Sequence, residues 1–188
     1  LRLASVAHQQ QRDKGPYSDP APYIHHPVFV GMKLLQMRCG DEVVIAGILH
    51  DTLEDTKLNE RQLSARFGAR VANLVREVSD EKDFGMTVEE KKRSWLDRKK
   101  KFLKNLKKAT KEAQLISAVD LLHNLYRLNS AIREFGRVDT LKYFNAPIEK
   151  KIWYAVEKMR IFEENLADYE EELLKPLRQE FEILNSNI

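Results

Sequence analysis

The hydrophobic pattern of the chain predicts helices along almost its whole length. Apolar residues recur at spacings of three and four, and no segment shows the strict alternation that is typical of a half-buried strand. Two stretches, 43–49 and 115–128, are apolar on most sides, so we expect both to be buried. The fold class predicted is all-α. The predicted helices cover residues 1–14, 27–39, 42–55, 60–67, 69–78, 88–108, 111–134 and 148–174.

Proline, glycine and polar stretches separate these helices. The segment 15–27, GPYSDPAPYIHHP, holds four of the six prolines and is predicted to be a loop. Ser79 to Met86 is polar and is predicted to be a second loop, and a break is expected at Gly136, within Phe135 to Thr140. A length of 188 residues suits one domain, 1–188, in which 147–188 forms a long C-terminal helical segment.

Composition excludes several classes of protein. Hydrophobic residues make up 43% and charged residues 32%, which is typical of a soluble helical protein. No apolar run is long enough for a membrane span, the first residues do not resemble a signal peptide, and Cys39 is the single cysteine. We therefore expect a cytoplasmic protein. A net charge of +3 does not indicate nucleic-acid binding, and the basic run Arg98–Lys108 is better explained as a solvated helix face.

The candidate catalytic and metal-binding residues are polar groups in the two buried stretches. They lie at the end of the first stretch and within the second. His50, Asp51, Glu54 and Asp55 end the first stretch, and buried acids are costly unless they are paired or bind a metal. The second stretch carries Asp120, which alone would more often be a hydrogen-bond anchor than a ligand.

With a histidine at the start of the helix after the proline-rich loop, these groups form a ligand set for Mn²⁺, Fe²⁺, Mg²⁺ or Zn²⁺. His26 stands at this boundary, and its neighbour His25 is the alternative ligand.

Four motifs resemble the hydrolase domain of RelA/SpoT homologues. These enzymes are guanosine 3′,5′-bis(diphosphate) 3′-pyrophosphohydrolases and belong to the HD-domain metal-dependent phosphohydrolases. The motifs are PYIHHP, HDTLEDT, FGARVANLVREVSDEK and ISAVDLLHNLYRL, and the resemblance covers roughly residues 1–130. An isolated His-Asp pair occurs by chance in many proteins, whereas four motifs in the family's order are specific.

The resemblance implies a role for each matching residue. It implies that a divalent metal, typically Mn²⁺, is bound by His26, His50, Asp51 and Asp120. It implies that Glu54 and Asp55 activate or orient the attacking water, and that Asn124 lies close to the reacting phosphate of a nucleotide substrate.

Two departures from the family pattern put the substrate in question. Asp13 stands between Arg12 and Lys14, where the family places a basic pair that binds the nucleotide, so these two basic residues can face an anionic substrate only if Asp13 points away. Leu121 replaces a basic residue beside Asp120. Tyr23 is a further candidate nucleotide contact.

Three alternatives to a guanosine 3′,5′-bis(diphosphate) hydrolase stay open. They are an HD nucleotidase or phosphodiesterase with another substrate, a non-catalytic metal-containing nucleotide sensor, and a nucleic-acid-binding protein that uses Arg98–Lys108. The oligomeric state is also open, because the long terminal helix suits either covering the core or pairing in a homo-oligomer.

Overall fold

The computed structural model describes residues 1–80, 86–143 and 146–188. These ranges contain helices and no strand, apart from one isolated backbone bridge between Arg12 and Pro22, so the all-α prediction is confirmed. Most of the predicted loop Ser79–Met86, and the last two residues of the FGARVANLVREVSDEK motif, lie outside the described residues. The helices are α1 (Arg2–Ala7), α2 (His25–Gln36), α3 (Asp41–Leu49), α4 (Thr52–Asp55), α5 (Glu60–Phe67), α6 (Ala69–Val78), α7 (Val88–Arg93), α8 (Trp95–Leu106), α9 (Lys111–Phe135), α10 (Arg137–Leu141), α11 (Ile148–Asn165) and α12 (Lys175–Ser186).

Helices α2 and α3 form a tight hairpin. The connection between them is only four residues long, which favours antiparallel neighbours. A Cβ atom on Gly47 would lie 2.4 Å from Cδ1 of Leu34, and one on Gly31 would lie 2.4 Å from Cγ1 of Ile48. Glycine at these two positions therefore permits the close approach of the helices. The hairpin brings the start of α2 next to the end of α3, where the predicted ligands are found.

The long helix α9 runs through the core. The Thr110 hydroxyl caps its start by accepting the N–H of Ala113, and Gly136 ends it with a φ of 81°. Helices α2, α3, α6, α11 and α12 all pack against α9. Leu177 and Leu184 of α12 are buried, so the C-terminal segment covers the core of its own chain.

Two predicted helices are interrupted at positions where a side chain also hydrogen-bonds to a carbonyl of the preceding turn. The predicted helix 42–55 breaks at His50–Asp51, where the His50 ring contacts the Gly47 carbonyl and the Thr52 hydroxyl donates to the Leu49 carbonyl. The predicted helix 88–108 breaks at Ser94, whose hydroxyl donates to an earlier carbonyl at 2.7 Å. Such bonds compete with the helical ladder.

The ends of three other predicted elements were wrong. The predicted helix 1–14 stops at Ala7 because the chain doubles back, with the Tyr23 N–H donating to the Gln11 carbonyl at 3.0 Å. The predicted helix from 148 stops at Asn165, whose side chain donates to the Ile161 carbonyl, and short 3₁₀ and π-helical turns follow. The break at Gly136 lasts one residue, since α10 begins directly after it.

Candidate metal centre and cationic cavity

The four predicted metal ligands converge from three parts of the fold. His26 lies in the first turn of α2, His50 and Asp51 lie between α3 and α4, and Asp120 lies in the middle of α9. The Nε2 atoms of His26 and His50 are 3.2 Å apart. Oδ2 of Asp51 is 3.6 Å and 3.0 Å from these two nitrogens, and Oδ1 of Asp120 is 3.3 Å and 3.8 Å from them.

Hydrogen bonds behind both imidazoles hold them in the form that binds a metal. The Nδ1 atom of His50 lies 2.8 Å from the Gly47 carbonyl, so it carries the proton and leaves a lone pair on Nε2. The Nδ1 atom of His26 lies 2.6 Å from Nδ1 of His123, and a proton donated there by His26 likewise leaves its Nε2 as an acceptor. Both lone pairs then face the same point.

The electrostatics of the cluster favour a positive charge between its members. Burial alone would lower the pKa of His50, but the Asp51 and Asp120 carboxylates raise it to about 9. Burial would raise the pKa of Asp51, yet His50, His26 and the Tyr23 hydroxyl bring it well below its usual value. A divalent cation can supply the charge that protons otherwise supply.

The donor set also fits a metal ion in its dimensions. Ligands at about 2.1 Å from a divalent ion in octahedral geometry have neighbouring donor atoms about 3 Å apart. His26, His50 and Asp51 form such a compact group, with donor atoms 3.0 to 3.6 Å apart, and Oδ1 of Asp120 lies 3.3 Å from Nε2 of His26. Mixed imidazole and carboxylate ligands suit Mn²⁺, Fe²⁺ and Zn²⁺.

His123 lies near the cluster, and the sequence analysis assigned it no role. Its ring stacks on that of Phe29, at a centroid distance of 4.0 Å, and lies edge to edge with the nearly parallel ring of His26, at a centroid distance of 4.9 Å. Burial, together with the charges of His26 and Arg127, lowers the pKa of His123 to about 3, so the ring is neutral. A neutral ring has one bare nitrogen, which in the matching tautomer accepts a hydrogen bond from Nδ1–H of His26. The motif that contains His123 was visible in the sequence, but this contact depends on how α2 crosses α9.

The two carboxylates have further polar partners. The Tyr23 hydroxyl donates to Oδ2 of Asp51, and this contact fixes a rotamer of Asp51. Asn124 donates to Oδ1 of Asp120 at 2.5 Å, as expected for a residue one turn later on α9. Lys158 of α11 lies 3.3 Å from Oδ2 of Asp120. The sequence analysis did not single out Lys158, although it lies on the apolar face of α11.

Beside the metal ligands lies a cavity of about 390 Å³, which we call the cationic cavity. Among the described residues that line it, eight are basic, whereas only Asp55 and Asp120 are acidic. A concave site with this charge is suited to a polyanion of the size of a nucleotide. The basic side chains come from the loop after α1 and from α7, α8, α9 and α11: Arg12, Lys14, Lys91, Arg98, Lys99, Arg127, Lys151 and Lys158.

Asp13 points away from this cavity, into the protein. Its side chain is 9% exposed, and its carboxylate accepts hydrogen bonds from Arg127 at 2.5 Å and from His25 at 2.8 Å. Arg12 and Lys14 line the cavity, so the arrangement meets the condition stated for them from the sequence. His25 is engaged by Asp13, and the structure places His26 among the other ligands.

The two acids of the HDTLEDT motif take different positions. Asp55 lines the cationic cavity and accepts a hydrogen bond from Gln11 at 3.1 Å. Glu54 accepts the backbone N–H of Asp80 at 2.7 Å, which ties α4 to the end of α6. Asn124 also lines the cavity.

The basic run Arg98–Lys108 is divided between two environments. Arg98 and Lys99 turn inward and pair with Asp80, which is 2% exposed in its side chain. Others on the same helix, such as Lys100 and Lys104, are exposed. The solvated face that the sequence predicts is therefore only one side of α8, and the other side lines the cationic cavity.

Comparison with known proteins identifies the family. The family described as HD domain matches residues 1–167 of this chain. The chain belongs to the HD domain family. The guanosine-3′,5′-bis(diphosphate) 3′-pyrophosphohydrolase MESH1 of Mus musculus is 36% identical over 130 residues, which are 68% of this chain and 66% of that protein. The aligned region is thus slightly less than two thirds of the mouse protein's own length.

Two further relatives agree with the family assignment. MESH1 of Homo sapiens is 36% identical over 135 residues, covering 70% of this chain and 69% of the human protein. A solved structure, described as that of a metazoan ortholog of SpoT that hydrolyzes ppGpp and plays a role in starvation responses, superimposes with a TM-score of 0.72. It shares 28% sequence identity, and the match covers 95% of this chain and 91% of the other. In the described part of this HD domain, no helix combines the length and the apolarity that a membrane crossing requires.

Proposed function

We propose that this HD domain is a metal-dependent phosphohydrolase that releases pyrophosphate from the 3′ position of guanosine 3′,5′-bis(diphosphate). The observation that carries the proposal is the cluster of two imidazoles and two carboxylates that borders the cationic cavity. The relatives named as pyrophosphohydrolases of this compound support the choice of substrate. A cytoplasmic location belongs to the proposal, since such a nucleotide and the free thiol of Cys39 suit that compartment.

The residues that would hold the metal are His26 and His50, through Nε2, and Asp51 and Asp120, through a carboxylate oxygen. Mn²⁺ is the ion we propose, with Mg²⁺, Fe²⁺ and Zn²⁺ as alternatives that the same donor atoms accommodate. Such an ion, when bound, lowers the pKa of water and neutralises charge that develops on the phosphoryl group.

The acidic pair and Asn124 have separate proposed roles. Asp55 lines the cavity, which supports a role in taking the proton of the attacking water, while Glu54 fixes the segment that carries α4. Asn124 orients Asp120 and donates towards the reacting phosphate. Water attacks the phosphorus attached to the 3′ oxygen, the P–O3′ bond breaks, and the proton removed from the water is returned to the 3′ oxygen, so that the products are guanosine 5′-diphosphate and pyrophosphate.

The charge of the cavity wall supports a substrate with two phosphate chains. Arg12 and Lys14 enter from the loop after α1, and Tyr23 also lines the cavity, with its hydroxyl on Asp51. The side of the cavity formed by α8 and α11 adds Lys99 and Lys151. Guanidinium and ammonium groups on several sides suit a phosphate-rich nucleotide better than a nucleoside monophosphate.

The proposal is tested by measuring product release by the metal-free protein after Mn²⁺ is added. Guanosine 3′,5′-bis(diphosphate) is compared with guanosine 5′-triphosphate and with nucleoside 3′-monophosphates. We expect pyrophosphate and guanosine 5′-diphosphate in equal amounts from the first compound. Asp51→Asn and Asp120→Asn are expected to abolish turnover, and the exposed Asp19→Asn serves as the control. Turnover only of other nucleotides would refute the substrate, and metal binding without any turnover would favour a sensor.

A further inference from the structure

Lys158 is a buried cation that none of the proposed catalytic steps uses. It lies on α11, outside the segments that carry the metal ligands, and only 3% of its surface is exposed. Its ammonium group is 5.8 Å, 5.6 Å and 5.9 Å from the ring centroids of Phe102, Tyr154 and Phe162. Ring faces attract a cation, but they do not fully replace its hydration. Retaining a lysine here is costly for the fold, which calls for a reason.

The ion pair of Lys158 suggests that reason. Its Nζ lies 3.3 Å from Oδ2 of Asp120, while Oδ1 of the same carboxylate faces the imidazole nitrogens of His26 and His50 at 3.3 Å and 3.8 Å. One oxygen of Asp120 is thus bound to α11, and the other is directed at the metal ligands. Asn124 holds Oδ1 and Lys158 holds Oδ2, so without Lys158 the carboxylate keeps the Asn124 hydrogen bond but loses the anchor on its second oxygen, and its orientation towards the two nitrogens is less well fixed.

Lys158 also supplies a positive charge beside Asp120, where the neighbouring position 121 carries leucine in place of the family's basic residue. Leu121, directly after Asp120, lines the cavity with an apolar side chain, and Lys158 lines the same cavity from the facing helix. A ligand carboxylate is normally held by a hydrogen-bonding partner outside the metal's own coordination shell, and losing such a partner weakens metal binding about 10–100-fold.

We propose that Lys158 is a positioning residue of the metal centre, which holds Oδ2 of Asp120 so that Oδ1 faces His26 and His50, and that α11 is thereby part of the active site. The proposal rests on the proposed function for the identity of the metal centre. It assigns α11 a task beyond covering the core.

The test is the affinity of the metal-free protein for Mn²⁺, measured by titration calorimetry, which does not depend on turnover. Lys158→Met keeps the volume and suits the aromatic surroundings, but it removes one member of an ion pair, so some loss of melting temperature is expected and the titration is made well below that temperature. We expect its Mn²⁺ dissociation constant to rise about 10–100-fold. Lys150→Met, at an exposed position of the same helix, is the matched control and should leave the constant unchanged.

A second variant separates charge from volume. Lys158→Ala opens space that is continuous with the cationic cavity, so a small alkylammonium ion can enter it. Ethylammonium should restore Mn²⁺ affinity and turnover in Lys158→Ala, whereas ethanol should not. Wild-type affinity in Lys158→Met, or equal rescue by ethanol, would overturn the proposal.

The outcomes also separate this inference from the proposed function. If the wild type binds Mn²⁺ through Lys158-dependent geometry and hydrolyses none of the nucleotides, the inference stands and the proposed function fails. If the wild type hydrolyses guanosine 3′,5′-bis(diphosphate) and Lys158→Met matches it in both Mn²⁺ affinity and kcat, the proposed function stands and the inference fails.

Discussion

Replacing Asp13 by alanine should destabilise the protein, because this acid is an internal partner of Arg127. The two side chains are 9% and 22% exposed, and Asp13 also accepts a hydrogen bond from His25. Removing one member of a fully buried ion pair costs about 3–5 kcal/mol. Arg127 keeps some contact with water, so we expect a smaller loss of about 2 kcal/mol. For a chain of this size, that loss corresponds to a melting temperature lower by about 4–8 °C.

The same substitution should weaken substrate binding, because Asp13 anchors the loop that carries Arg12 and Lys14 to the cavity. Thermal unfolding of the metal-free protein, followed by circular dichroism, gives the first quantity, and the KM for guanosine 3′,5′-bis(diphosphate) gives the second. Asp19→Ala, at an exposed position of the same loop, is the control and should change neither. An unchanged melting temperature together with a lower KM in Asp13→Ala would mean that Asp13 faces the substrate, and would refute the reasoning.

Three other substitutions test separate parts of the structure. Burial and two neighbouring lysines lower the pKa of Lys151 to about 8, so its charge is lost as the pH rises through 8. The wild type should therefore bind a non-hydrolysable guanosine bis(diphosphate) analogue progressively more weakly from pH 7 to 9. Lys151→Met should lose most of this pH dependence. Tyr23→Phe removes the hydrogen bond to Asp51 and should weaken Mn²⁺ binding about 10-fold while the melting temperature changes little, as calorimetry and circular dichroism would measure. Gly47→Ala places a methyl group 2.4 Å from a side-chain carbon of α2 and should destabilise the protein by about 1–3 kcal/mol, as urea unfolding would measure. The control Gly40→Ala meets nothing within 4 Å and should change stability little.

Sequence periodicity predicted which helices exist but not where several of them end. The breaks at His50 and Ser94 depend on side chains that bond to carbonyls of the preceding turn, and the propensity of either residue is compatible with a continuous helix. The early end of α1 depends on a pairing of the chain with itself across the proline-rich loop. These interactions form in the folded chain, so local patterns do not reveal them.

The proposed metal ligands could be picked out because the sequence places each one beside a strong local signal. His26 stands before a proline at the start of a helix, His50 ends a buried run, and Asp120 interrupts another. The structure brings all three together, which the prediction requires. Their role in binding a metal remains a prediction until the titrations are made.

The cavity wall was harder to predict. Lys151 and Lys158 are two turns apart on α11, which puts them on one face, and Lys158 has Ala155, Met159 and Phe162 as apolar neighbours in that helix. A lysine within an apolar face was the available signal. Which carboxylate it meets depends on how α11 packs against α9, and the position of Asp13 depends in the same way on a partner more than a hundred residues away.

The most direct test of the proposed function is hydrolysis of guanosine 3′,5′-bis(diphosphate) in ¹⁸O-labelled water, with and without Mn²⁺, followed by mass spectrometry of both products. Attack at the phosphorus on the 3′ oxygen predicts one ¹⁸O atom in each pyrophosphate and none in guanosine 5′-diphosphate, only when the metal is present. Label in the nucleotide, release of orthophosphate, or equal turnover by metal-free protein would contradict the proposed metal-dependent 3′-pyrophosphohydrolase.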